Sequence, residues 1–203
     1  MKAVFGLGNP GQRYRHTRHN VGFMALDRFV ENNADAFGRA TLLNFFHGAW
    51  KNEKKTRHAL VARGRVGGDT IMLAKPLTYM NLSGTAVSSV VRYEKLRLED
   101  ILVVCDDADL ELGALRLKKS GSSGGHNGLE SIINNLRTED FARLRIGVGR
   151  DPGAADLAEY LLRPLEKDKA RFLEEALNKA AAAIYAWGAE GSDAAMSAFN
   201  RKP

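Results

Sequence analysis

The sequence predicts an α/β fold: one three-layer α/β/α domain over residues 1–203, built on a twisted mixed β-sheet. Three observations lead there. Short apolar runs that end at glycine or acidic residues, such as Lys2 to Leu7 and Asp100 to Cys105, have the form of buried strands. Stretches with apolar residues at helical spacing separate them, which is the pattern of a sheet covered on both faces. One hairpin signal, Gly67-Gly68, adds antiparallel pairing to an otherwise parallel sheet.

Taken in order, Lys2 to Leu7 is the first strand, and Gly8 to His19 is polar, glycine-rich and aperiodic, hence a loop. Met24, Ala25, Leu26, Phe29 and Val30 recur at helical spacing, so a helix begins at Val21. Residues 40–75 have the form of a β-meander: Leu42 to Trp50, Ala59 to Val66 and Thr70 to Ala74. Ser83 opens a second helix as its N-cap and the helix runs to Tyr93. Leu115 to Leu117 is a short strand, Gly128 to Leu136 a helix, and Phe141 to Val148 the last strand. Pro164 begins a long alanine-rich helix to about Trp187, and a short helix over Asp193 to Phe199 closes the chain. No segment has the composition of a linker, a repeat or a low-complexity tract.

Bulk composition bounds the function. Apolar residues make up 44% and charged residues 27% of the 203, an ordinary balance for a water-soluble domain. The apolar runs are far too short for a membrane span, and MKAVFGLGNPG meets glycines before a signal-peptide core can form. A lone cysteine, Cys105, excludes an intrachain disulfide framework, and a cytoplasmic location is expected. The net charge of +6, with basic clusters at Arg13 to Arg18, Lys51 to Arg65 and Arg116 to Lys119, suits a polyanionic partner and equally a solvated face.

Gly6, Gly8 and Gly11 spell G-x-G-x-x-G directly after a strand, the dinucleotide-binding pattern. That pattern needs a helix to start within the glycines, and here Pro10 sits inside it with no helical period through Asn20. Nor does a second strand end in an acidic residue about 20 positions on. The glycines instead let a tight loop carry Asn9 over a cleft.

Asn9, Asp106 and the His19-Asn20 pair all stand at or beyond strand ends, where open α/β sheets place their clefts. His19 can serve as a general base with Asp106 holding one ring nitrogen, or it can be a simple helix-entry residue. Asp106, Asp107 and Asp109 can equally form a polar turn or a cation site; no zinc spacing is present and no metal or cofactor is expected. There is no G-x-S-x-G elbow, and Cys105 ends an apolar strand, so water is the expected nucleophile. The loop Ser120 to Gly128 leads into a helix; it can hold an anion on its amides, with Lys118, Lys119 and Arg145 nearby, or be a turn capped by Asn127.

Six blocks together resemble the bacterial-type peptidyl-tRNA hydrolase family: GLGNPG at 6–11, YRHTRHNVGFMALD at 14–27, KPLTYMNLSG at 75–84, DDADLELG at 106–113, GGHNGL at 124–129 and RLRIGVG at 143–149. The resemblance implies hydrolysis of the ester between a peptide and tRNA, without cofactor, protein partner or membrane, by a monomer. It implies that His19 activates water, that Asp106 orients His19, and that Asn9 distinguishes a blocked amino terminus. It further implies that Tyr14, Tyr79, Asn81 and Asn127 contact the tRNA 3′ end or the peptide, that Met80 lines the cleft, and that Lys118 and Arg145 meet phosphates. Two places depart from the family pattern. Serines stand at 120, 122 and 123 where members often have glycine, and Glu130 replaces a usual basic residue. The other use of such a fold is as an RNA-binding scaffold without catalysis.

Overall fold

Six strands form one mixed sheet in the order β2-β3-β1-β4-β6-β5. The computed structural model describes residues 1–37, 58–151, 153 and 156–200. The strands are β1 (Lys2–Gly6), β2 (Ala59–Val66), β3 (Asp69–Pro76), β4 (Ile101–Asp107), β5 (Leu115–Lys118) and β6 (Ala142–Gly147). The helices are α1 (Val21–Asn32), α2 (Ser83–Tyr93), α3 (Asn127–Leu136), α4 (Leu157–Leu161), α5 (Ala170–Glu190) and α6 (Ser192–Phe199).

The four inner strands are parallel, and β2 and β5 run antiparallel at the two edges. Alternation along the inner strands supplies two cores. Val4, Leu102 and Val104 face α1 and α5, where Leu26, Phe29, Ile184 and Trp187 are buried. Ala3, Phe5, Ile101, Val103 and Cys105 face α2 and α3, packing with Val87, Val90, Leu129 and Ile132. Each such aliphatic side chain contributes roughly 1.5–3 kcal/mol by leaving water. The expected three layers are therefore present.

The hairpin forms as its glycines require. Gly67 and Gly68 both have positive φ, +59° and +89°, and Val66 pairs with Asp69 across them. The strand expected over Leu42 to Trp50 lies outside the described residues.

Chain direction positions the cleft. From β1 the chain passes outward to β3, and from β4 it passes outward the other way to β6, so the two connections diverge between β1 and β4. A crevice opens at the carboxyl ends of such a strand pair. At that point α1 is drawn hard against the sheet. A Cβ on Gly22 would stand 2.4 Å from the Val104 carbonyl oxygen and 2.5 Å from the Leu7 nitrogen, which only glycine permits. The same close approach requires Gly6 and Gly8, where a Cβ would stand 2.5 Å from the Gly22 carbonyl oxygen and 2.8 Å from the Phe23 ring, whereas Gly11 serves a positive φ of +109°.

Two expectations need correction, and one helix was not expected. Ser83 is the first helical residue of α2 and not its cap; a 3-10 turn over Met80–Leu82 feeds the helix directly, and Leu82 holds the cap position. The long helix starts at Ala170 rather than Pro164, because Arg163 and Pro164 are held as an extended strap paired with Thr17 and Arg18. Helix α4 was absent from the sequence reading, although Asp156 and Glu159 have the spacing of a capping box and Asp156 Oδ1 accepts the Ala158 N–H at 2.8 Å. Helix α6 lies along β5, where the Asn200 amide pairs with both backbone groups of Leu117 at 2.7 and 2.8 Å and covers that sheet edge.

Candidate active site

Alternation along β4 continues into its last two residues, so Asp106 and Asp107 turn to opposite faces. Asp107 accepts the Asp109 N–H at 2.9 Å and pairs with Arg145 at 3.0 Å. Asp106 meets the turn before α1. Its Oδ1 lies 2.8 Å from His19 Nδ1, across 87 residues of sequence.

A second imidazole reaches the same oxygen. His126 Nε2 lies 3.0 Å from Asp106 Oδ1, and the two rings sit 5.1 Å apart. His126 is also the N-cap of α3: its Nδ1 accepts the N–H groups of Gly128 and Leu129 at 3.1 and 3.2 Å. A nitrogen that accepts two N–H bonds carries no proton, so the ring proton of His126 is on Nε2 and is donated to Asp106. His19 likewise donates from Nδ1, which leaves its Nε2 lone pair available at the cavity.

Asp106 is 1% exposed. Burial opposes its charge, but the facing imidazoles, His126 ahead of His19, hold its carboxyl well below the usual aspartate value. The carboxylate is therefore a permanent anion at ordinary pH. His19, Asp106 and His126 offer ligand atoms within 4.8 Å of one another. A metal at His126 Nε2 would strip the ring of its only proton while Nδ1 still accepts two bonds, so the set suits a hydrogen-bonded relay and not a cation. On the α2 and α3 side of the sheet, burial pushes the Cys105 thiol up, which suits packing and not nucleophilic work.

Asn9 is fixed on three atoms. Its backbone N–H donates to Asn20 Oδ1 at 2.8 Å, its carbonyl accepts from Asn20 Nδ2 at 3.0 Å, and its own Oδ1 accepts the Met80 N–H at 2.8 Å. With Oδ1 engaged, the amide NH₂ is the group left to donate. The sequence reading missed the work of Asn20 and of His126. Asn20 was named only as one of the His19-Asn20 pair and His126 stands next to Asn127; a histidine in a cap position was the available signal.

A cavity of about 610 Å³ opens over these groups, within the usual range for ligand sites. Asn9, His19, Tyr79, Met80, Asn81, Asp106, Asn127 and Arg145 all line it. Asn81 and Asn127 are exposed there, and Tyr79 is 53% exposed. His126, not Asn127, caps α3, so the Asn127 side chain is not spent on the helix. Leu157, Leu161 and Leu162 give it an apolar wall. Tyr14 lies outside this lining, beneath the Arg13 guanidinium at 4.5 Å, and Lys118 is exposed at the end of β5. The serine-bearing loop 120–123 is held from below, because buried Arg143 donates to the Gly121 and Ser122 carbonyls.

A second cavity of about 630 Å³ lies across Asn9, lined by Arg15, Asp27, Arg28 and Lys75. Burial raises the Asp27 pKa and lowers that of Lys75, each shift partly offset by the pairing of the two.

A model of the peptidyl-tRNA hydrolase family matches residues 3–203. A peptidyl-tRNA hydrolase of Desulforudis audaxviator is 47% identical over 98% of this chain and 93% of its own length. Another, from Desulfitobacterium hafniense, is 43% identical over 99% of this chain and its own full length. Among solved structures, peptidyl-tRNA hydrolase from Acinetobacter baumannii superposes with a TM-score of 0.81 at 33% identity, covering 98% of this chain and 94% of that one.

Proposed function

The chain belongs to the peptidyl-tRNA hydrolase family, and we propose that it hydrolyses the ester joining a peptide, or an N-blocked aminoacyl group, to tRNA, with His19 as general base. The observation that carries this reading is the shared oxygen of Asp106. Two N–H donors converge on it, which leaves the Nε2 lone pair of His19 beside the cavity.

In this mechanism water enters beside His19 Nε2, gives up a proton to it, and attacks the ester carbonyl carbon. The imidazolium that forms is stabilised by the adjacent Asp106 anion. Negative charge gathers on the former carbonyl oxygen, where side-chain amides supply protons. The Asn9 NH₂ is preorganised for this by its bond to Met80, and Asn127 and Asn81 stand on the same cavity. Collapse expels the ribose oxygen, which takes the proton from His19 to become a hydroxyl, and the new carboxylic acid releases its proton to solvent, so the peptide leaves as a carboxylate. General base catalysis contributes about 100- to 10,000-fold and an oxyanion donor on the order of 100- to 1,000-fold. Tyr79 and Met80 receive the terminal base or peptide main chain, Tyr14 approaches on substrate binding, and Lys118 and Arg145 meet phosphates of the tRNA. The chain works as one domain and a monomer in the cytoplasm, recycling tRNA without a protein partner.

The test uses N-acetyl-aminoacyl-tRNA and free aminoacyl-tRNA with the wild type and His19→Ala. The wild type releases only the blocked amino acid, and His19→Ala binds tRNA but releases nothing. Equal release by the variant would sink the base assignment, and tRNA binding without release by the wild type would favour a scaffold.

A further inference from the structure

Arg18 precedes the proposed base, yet its side chain points away from the cavity into the protein. Its guanidinium is almost wholly buried, and among the described residues its partners come from one strap of chain, residues 160–166. Nη1 donates to the carbonyls of Arg163 and Pro164 at 3.3 and 2.8 Å, Nη2 pairs with Glu166 at 2.5 Å, and the plane lies 4.2 Å from the Tyr160 ring. The backbone reinforces the contact, with Arg18 N–H donating to the Arg163 carbonyl and Thr17 bridging to Pro164. A buried charge adds little stability over an apolar side chain of the same size. What arginine adds is direction, a planar fork that fixes one strap at one angle.

That strap carries α4, whose Leu157 and Leu161, with the following Leu162, line the same cavity as His19. Leu157 and Leu162 are 39% and 40% exposed, an apolar surface beside a hydrolytic centre. Phosphate and ribose gain nothing from leucine, whereas an apolar acyl side chain does. We propose that Arg18 is a positioning residue: it clasps the 157–166 strap to the turn bearing His19, and so sets the leucine wall against which apolar side chains of the peptide part of the substrate lie. This rests on the hydrolase reading above and adds the part of the substrate that the wall selects.

The experiment compares wild type, Arg18→Lys and Glu166→Gln on N-acetyl-phenylalanyl-tRNA and N-acetyl-glycyl-tRNA, with hydrogen exchange of residues 157–163 measured in parallel. Lysine keeps the charge but cannot hold both carbonyls and the carboxylate. Arg18→Lys raises KM for the phenylalanyl substrate about tenfold, the weight of one lost charge-assisted bond, with little change for the glycyl one. Its kcat and the pH profile of kcat stay as in wild type, and the amides of Tyr160, Leu162 and Arg163 exchange faster. Glu166→Gln, which alters an exposed partner, shifts the same KM in the same direction by less. An equal KM rise on both substrates overturns the leucine wall. A fall in kcat at constant KM reduces Arg18 to a folding role, and a moved pH profile makes it act on His19 itself; either overturns the proposal. Should Arg18→Lys fail to fold, an unchanged KM in Glu166→Gln overturns it too. If the wild type cleaves neither substrate, the hydrolase reading fails, while the exchange rates still report whether the clasp exists.

Discussion

His126 Nε2 donates to Asp106 Oδ1 at 3.0 Å while its Nδ1 accepts the first free N–H groups of α3, so one ring links the carboxylate of β4 to a helix amino terminus. The ring cannot turn or change tautomer without breaking one end of that link. Asp106 is thereby held for His19.

Asp106→Asn keeps one oxygen able to accept both N–H groups but removes the anion that stabilises the imidazolium formed at His19. Single-turnover hydrolysis of N-acetyl-aminoacyl-tRNA is expected to slow on the order of 1,000- to 10,000-fold with the fold intact. A loss within tenfold would show that the carboxylate is not needed to set the base.

His126 has two tasks that substitution can separate. His126→Ala loses the α3 cap, at about 1 kcal/mol, and one donor to Asp106. His126→Asn restores a side-chain oxygen suited to capping, so denaturant midpoints recover while the hydrolytic rate stays low. Parallel recovery of rate and stability would leave the ring with only a capping role.

Acid dependence follows from Asp106. Its folded pKa is lowered from 3.8, so it contributes stability that is complete above that value and is lost as pH falls through the lower folded one. Denaturation free energies therefore drop below about pH 4, and Asp106→Asn removes part of that slope. An acid slope unchanged in Asp106→Asn would contradict this.

Gly22→Ala forces a Cβ to within 2.4 Å of the Val104 carbonyl oxygen and 2.5 Å of the Leu7 nitrogen. Backbone atoms of two central elements cannot yield cheaply, so a loss of about 1–3 kcal/mol is expected in thermal or denaturant unfolding. Wild-type stability in this variant would mean that α1 stands farther from the sheet.

Glu130 is exposed in the first turn of α3, just past the glycine-rich loop 120–128. Glu130→Lys is expected to tighten tRNA binding and raise the salt dependence of log K by about one unit, the mark of one added phosphate contact. The same change places a cation at a helix amino end and costs about 0.3–1 kcal/mol of stability. An unaltered salt slope would put this face outside the tRNA footprint.

Local pattern determined most elements, since period, glycine placement and apolar runs act within a few residues: β1, the Gly67-Gly68 hairpin, α1, β4 and α3 all stand where their own residues put them. It also named His19, Asp106 and Asn9 as neighbours of strand ends, which the crossover between β1 and β4 brings to one crevice. Tertiary contact decided the rest. Pro164 begins no helix because Arg18, 146 residues away, takes its carbonyl. His126 looked like part of a glycine-rich turn until α3 and Asp106 claimed opposite nitrogens of its ring. Those choices depend on which distant donor meets which acceptor, and hydrogen bonds between chain segments leave no period for a sequence to display.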